Sequence, residues 1–166
     1  MAANLKKLTL KISLRTYQPE DFETLYQIDQ ACYEPAIAYS RREFRNYMRF
    51  PGADCVVAII AGEIAGFCIT AHKNGWGYIV TIDVLEKHRR SGAGTAMLAE
   101  AEKRMALHGV RKIALETATD NESAIAFWKR HGYRTQGILH EYYPGGRDAY
   151  SMVKHLVSAE SAKEKV

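Results

Sequence analysis

The chain is poor in the residues that staple, coordinate or cross. Its three cysteines, Cys32, Cys55 and Cys68, are too few and too irregularly spaced for a disulfide framework. Two of them sit in the apolar runs "ADCVVAII" and "GFCIT", so buried thiols in a reducing compartment are expected. Histidines at 72, 88, 108, 131, 140 and 155 fall in no HExxH or Cys/His ligand spacing, and no metal site is assigned. No apolar run approaches the ~20 residues of a membrane span. The lysines of "MAANLKKLTLKISL" interrupt any secretory apolar core, which makes the cytoplasm the expected location and a membrane partner unexpected. A net charge of +4 suits anionic small ligands without calling for nucleic acid. With no repeat and no linker composition, residues 1–157 read as one domain and the polar 158–166, "SAESAKEKV", as a tail. Nothing in the sequence sets an oligomeric state.

What is present is a succession of strand and helix patterns. In residues 8–17 Leu8, Leu10, Ile12 and Leu14 alternate with polar neighbours, the period of a half-buried strand. "QPEDFETLYQIDQACY" follows with a proline and acids in its first turn and Phe22, Leu25, Tyr26 and Ile28 at helical spacing. Ser40 caps "RREFRNYMRF", in which Arg41, Arg45 and Arg49 fall four apart on a face that reads either as solvated or as binding. "ADCVVAII", "IAGFCITAH" and "WGYIVTIDVL" form an antiparallel meander whose first turn is Ala61–Glu63. "GTAMLAEAEKRMALHG" is a helix with Gly94, Leu98, Ala101 and Met105 on one face and Gly109 as its stop. Then come a strand "RKIALETAT", a helix "NESAIAFWKRHG" capped by Asn121 and stopped at Gly132, and strands "YRTQGILHEYY" and "RDAYSMVKHL". The order β-α-α-β-β-β-α-β-α-β-β predicts one α/β unit.

"EKHRRSGAG" between a strand and a helix is a place where backbone N–H groups and the helix dipole converge on a phosphate. A mononucleotide P-loop is excluded, because GxxxxGK followed by Ser or Thr occurs nowhere. A dinucleotide fingerprint lacks its third glycine, since Gly92-x-Gly94 is followed at that spacing by Met97, and the preceding strands are hairpins rather than a parallel βαβ start. The pyrophosphate of coenzyme A fits, with Arg89 and Arg90 adding cationic donors. A purely structural turn remains the alternative, although two adjacent arginines would then repel each other with nothing gained.

Arg89-x-x-Gly92-x-Gly94 followed by a helix resembles the (Gln/Arg)-x-x-Gly-x-(Gly/Ala) signature of the GNAT acyltransferases. The resemblance extends over almost all of residues 8–156. "LETATDNESAIAFWKRHGY" and "EYYPGGRDAYSM" are similar to the bacterial ribosomal-protein-alanine N-acetyltransferases and the related N-terminal acetyltransferases. It implies an α/β (α+β) fold, a mixed, mostly antiparallel sheet flanked by helices and splayed between the strand ending at Val84 and the one ending near Glu116. It implies acetyl-CoA in that splay, with Ile82, Asp83 and Val84 offering backbone groups to the pantetheine and thioester. Arg89, Arg90, Ser91, Gly92, Ala93, Gly94 and Thr95 would cradle the pyrophosphate, and Asn121 and Trp128 match positions lining the acetyl end.

The implied reaction moves an acetyl group directly from acetyl-CoA to a protein N-terminal α-amine, a ribosomal protein being the model acceptor, within a ternary complex. In "KIALETAT" alternation puts Glu116 on the face opposite Leu115 among small neighbours, where a carboxylate must be solvated, paired or functional. It also matches the family's general base. At pH 7.4 an α-amine of pKa ~8 is ~20% neutral and a lysine of pKa ~10.4 only ~0.1%, so an N-terminal acceptor makes the lighter demand on that base. The family's usual acid, a tyrosine, is here Trp128, whose indole N–H can donate a hydrogen bond but not deliver a proton. Trp128 then reads either as shaping the thioester pocket or as core, with water or Tyr142 protonating the thiolate. Its departure costs only ~1.5 kcal/mol for a thiol of pKa ~8.5. The resemblance assigns Tyr142 and Tyr143 to the acceptor's first residues. As neighbours in a strand they are expected on opposite faces, one core and one free. Tyr33 is a further candidate for the same groove. A lysine or small-molecule amine as acceptor, or a coenzyme-A-binding module without catalysis, are the alternatives.

Overall fold

The computed structural model describes residues 10–157. Its elements follow the expected order: β1 (Ile12–Thr16), α1 (Phe22–Cys32), α2 (Arg41–Arg49), β2 (Asp54–Ile60), β3 (Glu63–Lys73), β4 (Trp76–Val84), α3 (Ala93–Leu107), β5 (Lys112–Ala118), α4 (Glu122–Arg130), β6 (Arg134–Tyr143) and β7 (Arg147–His155). They build one seven-stranded sheet in the order β1-β2-β3-β4-β5-β7-β6. Every pairing is antiparallel except β4 with β5, which α3 connects as a crossover helix.

Turn chemistry accounts for the hairpins. Ala61 and Gly62 have φ of 51° and 80°, and Asn74 and Gly75 52° and 78°, the left-handed pairs that close two-residue hairpins with the right-handed twist of their strands. The β2–β3 turn is therefore Ala61–Gly62 alone, with Glu63 already paired to Ile60. β1 is shorter than its alternation predicted. Leu10 lies before the strand and is half exposed, and Leu8 and the tail 158–166 fall outside the described residues.

Alternation in β2 divides the core between the two sheet faces. Val56, Ala58 and Ile60 meet Met97, Leu98, Ala101 and Met105 of α3, while Cys55 and Val57 join Leu25 and Ile28 of α1 and Phe44 of α2. All three cysteines are free, with Cys55 and Cys68 buried and Cys32 half-buried. Among the described residues no helix is long and apolar enough to cross a membrane.

One irregularity matters for function. β4 and β5 pair only at Trp76/Lys112, Gly77/Ile113 and Tyr78/Ala114, although both strands run on. Gly77 suits this tightly packed junction, because a Cβ there would clash with the Met105 side chain and crowd Val110 and Ile113. Directly beyond it β4 bulges at Val80, since Ile79 and Thr81 face the consecutive Thr70 and Ile69. A bulge bends its strand and increases the local twist. The two strands separate at that point, and the sheet opens.

Candidate active site

The opening leads into a cleft of about 660 Å³ walled by the α1–α2 loop, the free part of β4, the end of β5 and the β6–β7 hairpin. Glu116 of β5 lies on its wall, as alternation predicted. Its Oε2 accepts hydrogen bonds from the hydroxyls of Tyr78 and, at 3.4 Å, Tyr142, while Oε1 carries no protein partner among the described residues. Burial, reinforced by the hydrogen bond to Glu116, holds Tyr78 far above the usual phenol range, and burial also raises Tyr142. Both phenols are therefore held in their protonated, hydrogen-donating form in the resting site. Tyr78 was not singled out in the sequence, where nothing local connects it to a glutamate 38 positions later.

Tyr142 and Tyr143 do not take opposite faces. Both line the cleft, their rings edge to face with centroids 5.0 Å apart, and Tyr142 is 46% exposed. The register of β6 on β7 slips between Leu139 and Tyr143, and Glu141 sits at φ 52°, so the strict alternation behind the expectation is lost. Neither ring belongs to the core.

The cleft's outer edge is tied by Arg147, another residue the sequence reading passed over. Its guanidinium pairs with Asp120 at 3.0 Å and Glu34 at 3.4 Å, joining the hairpin to the β5–α4 turn and the α1–α2 loop. On the inner side the Tyr33 hydroxyl lies 3.1 Å from Thr81 Oγ1, which donates at 2.7 Å to the Asp83 carboxyl. Asp83 is 1% exposed, and burial pushes it up to about 7, with the nearby Asp29 adding to the rise. Tyr39 completes this wall, donating to the Val80 carbonyl at 3.2 Å.

The expected coenzyme residues divide between the cleft and a neighbouring helix end. Ile82, Asn121 and Trp128 line the cleft. Asn121 caps α4, its side chain accepting from the Ala124 N–H. Trp128 lies in the core, 6% exposed against Phe127 and Tyr133, and also forms part of the cleft wall. Leu85 N–H donates to Ala65 of β3, so the two-residue period of the ladder directs the backbone groups of Asp83 toward β3 and those of Ile82 and Val84 into the gap. The Val84 carbonyl there accepts from Arg89 Nε at 3.1 Å, which joins the arginine loop to the end of β4.

In that loop Arg90 and Gly92 have φ of 64° and 91°, and Gly92 is the left-handed N-cap of α3. Ala93 N–H is bonded to the Ser91 hydroxyl at 3.3 Å, while the N–H groups of Gly94 and Thr95 belong to the first turn, where no helical carbonyl reaches them. Gly94 faces the Phe127 ring and Thr95 Oγ1 meets His131 at 3.1 Å, so α3 begins against α4. Such a helix start with flanking arginines suits a phosphate. Among the described residues no group of three His, Cys, Asp or Glu could hold a metal ion.

The profile of the Acetyltransferase (GNAT) family matches residues 22–133. An N-alpha-acetyltransferase of Sulfurisphaera tokodaii is 33% identical over 126 residues, 68% of this chain and 75% of the relative. Among solved structures, the ribosomal-protein-S18-alanine N-acetyltransferase of Escherichia coli superposes with a TM-score of 0.81 at 24% identity, covering 90% of this chain and 96% of the other. Ard1 of Thermoplasma volcanium superposes at 0.80 with 26% identity over 88% and 98%.

Proposed function

The chain belongs to the GNAT family of acetyl-CoA-dependent acetyltransferases, and from that premise we propose that it acetylates the α-amine of a protein N-terminus. The ribosomal-protein-alanine type of acceptor falls within this class. The observation that carries the reading is Glu116, held by two phenols on Oε2 with Oε1 left open, in a cleft that also presents Tyr33 and Tyr143.

The chemistry follows from those positions. Glu116 Oε1 takes the proton of the incoming ammonium, directly or through one water, and the neutral nitrogen attacks the thioester carbon. The backbone groups of Ile82 and Val84 along the open edge of β4 suit the pantetheine and the thioester oxygen. The first turn of α3 with Arg89 and Arg90 suits the pyrophosphate. The carbon–sulfur bond breaks as the amide forms; the nitrogen's second proton passes to water, the Tyr142 hydroxyl supplies the proton that the thiolate takes up, and Glu116, protonated in the first step, returns that proton to Tyr142 across their hydrogen bond. Trp128, packed at the wall, shapes the acetyl pocket. An α-amine near pKa ~8 needs little help to lose its proton, and a carboxylate so placed is adequate for it.

The test is mass spectrometry after incubation with acetyl-CoA and two peptide pools, one with free N-termini and one N-terminally blocked but containing lysine. Transfer confined to the first pool is expected. Transfer only to the second would replace the N-terminal reading with a lysine acceptor.

A further inference from the structure

A histidine outside the cleft is tied to the start of α3 by a hydrogen bond whose direction depends on its own charge. His131, half-buried, ends α4, and its ring packs on Phe127 with centroids 4.4 Å apart. Its Nδ1 lies 2.8 Å from the Phe127 carbonyl, which can only accept, so Nδ1 carries a proton. Its Nε2 lies 3.1 Å from Oγ1 of Thr95, in the first turn of α3.

A neutral ring protonated at Nδ1 has only a lone pair at Nε2. The Thr95 hydroxyl then donates to it, and its one proton is directed away from the phosphate position. A second proton on the ring reverses the bond. Nε2–H now donates to Oγ1, and the Thr95 O–H is released beside the first-turn N–H groups of Gly94 and Thr95.

The surrounding charges decide when this reversal is favoured. Lys129 and Arg130 precede His131 in α4, and Arg89 and Arg90 stand in the loop before α3. Glu102 of α3 is taken up by Lys154 of β7 at 2.7 Å and by the Tyr133 hydroxyl at 2.9 Å. A further cation is therefore opposed until an anion arrives. A pyrophosphate at the start of α3 reverses the sign of that interaction, and the carbonyl end of α4 suits the same charge. Ligand and proton then strengthen each other's binding by the same factor.

We propose that His131 takes up a proton as the coenzyme binds and, by releasing the Thr95 hydroxyl toward the pyrophosphate, makes coenzyme affinity rise as pH falls. His131 is a positioning residue, and Thr95 is the contact. The inference rests on the placing of the pyrophosphate at α3 and is independent of the acceptor.

The experiment measures affinities by calorimetry from about pH 8.5 to about pH 5.5, the range in which a histidine changes charge. The probes are dephospho-coenzyme A, whose pyrophosphate does not titrate there, and pantetheine, which has no pyrophosphate. The ratio of wild-type to His131→Gln affinity for dephospho-coenzyme A is expected to rise about tenfold as pH falls, the effect of one unit of coupled protonation, while the ratio for pantetheine stays flat. Thr95→Ser should keep the rise, and Thr95→Val should reduce it to about twofold. The imidazole resonances of the wild type report the same event without any substitution, because His131 should titrate at higher pH with dephospho-coenzyme A bound than without it. A flat ratio, a His131 titration that the ligand does not move, or a rise undiminished in Thr95→Val overturns the proposal. Dephospho-coenzyme A that binds no tighter than pantetheine overturns the placing of the pyrophosphate and the proposal with it, a result distinct from tight binding that ignores pH.

Discussion

Glu116 and Trp128 show how one side chain takes its meaning from what it touches. Replacing Glu116 by Gln keeps the shape and the tyrosine contacts but removes the basic oxygen, so kcat should fall by about 10²–10⁴-fold with little change in acetyl-CoA binding. Steady-state kinetics with a peptide acceptor checks this, and raising the pH should partly restore the variant as more amine becomes neutral on its own. Trp128 fills core and cleft wall together, so Trp128→Tyr, which adds a possible acid but removes ring area, should turn over more slowly than the wild type. An unchanged rate would leave Trp128 as a core residue only. Glu116 was legible in the sequence because strand alternation and a family motif agreed on it. Tyr78 was not, because its relation to Glu116 arises only from the parallel pairing of β4 with β5.

Loops and element ends hold the site's walls, and they differ in how far local sequence determines them. The capping box at α2 is local: the Ser40 hydroxyl accepts from the Glu43 N–H and the Glu43 carboxylate accepts from the Ser40 N–H. Ser40→Ala should cost about 1 kcal/mol in a urea titration, the usual worth of an N-cap. Arg147 works across the molecule, linking three elements that have no sequence relation to one another. Single exposed ion pairs contribute little, but a guanidinium shared by two carboxylates restrains the elements that carry them. Arg147→Ala should loosen the β6–β7 hairpin and raise the peptide KM several-fold while the acetyl-CoA KM stays the same; an unchanged peptide KM would remove Arg147 from the groove's architecture.

Buried carboxylates make the stability of the whole molecule depend on pH. Asp83 and Asp29 are raised by burial, from 3.8 to about 7 and about 6. A carboxyl whose folded value exceeds its unfolded one binds more protons when folded, so its contribution is fully present below pH ~4 and is lost as pH rises through the folded value. Asp21 is lowered by its hydrogen bonds with Arg15 and works the other way, losing its contribution as pH falls into the acid range. Stability should therefore be greatest near pH 5, and the melting temperature should decline from there to pH 8. Asp83→Asn should flatten that decline, which thermal unfolding at the two pH values measures directly.

Much of the architecture was written locally. The element order, the Ser40 and Asn121 caps, the Gly109 and Gly132 stops and the glycine start of α3 each depend on backbone preferences and hydrogen bonds reaching only a few residues, so composition and period suffice to read them. The same short range explains where reading failed. Tyr142 and Tyr143 share the cleft because a slipped register and a left-handed Glu141 cancel the alternation that a regular strand would impose. Glu116 gains Tyr78, Arg147 gains Asp120 and Glu34, and Asp83 gains its dry surroundings from the order in which strands and loops come together. Sequence by itself determined which segments became strands and helices and that one helix would begin at a phosphate-suited turn. Only the tertiary structure decided where between those strands the sheet would split, beyond Tyr78, and which phenols, carboxylates and guanidinium would gather around the opening, because side-chain encounters between distant residues are set by sheet order and packing rather than by local propensity.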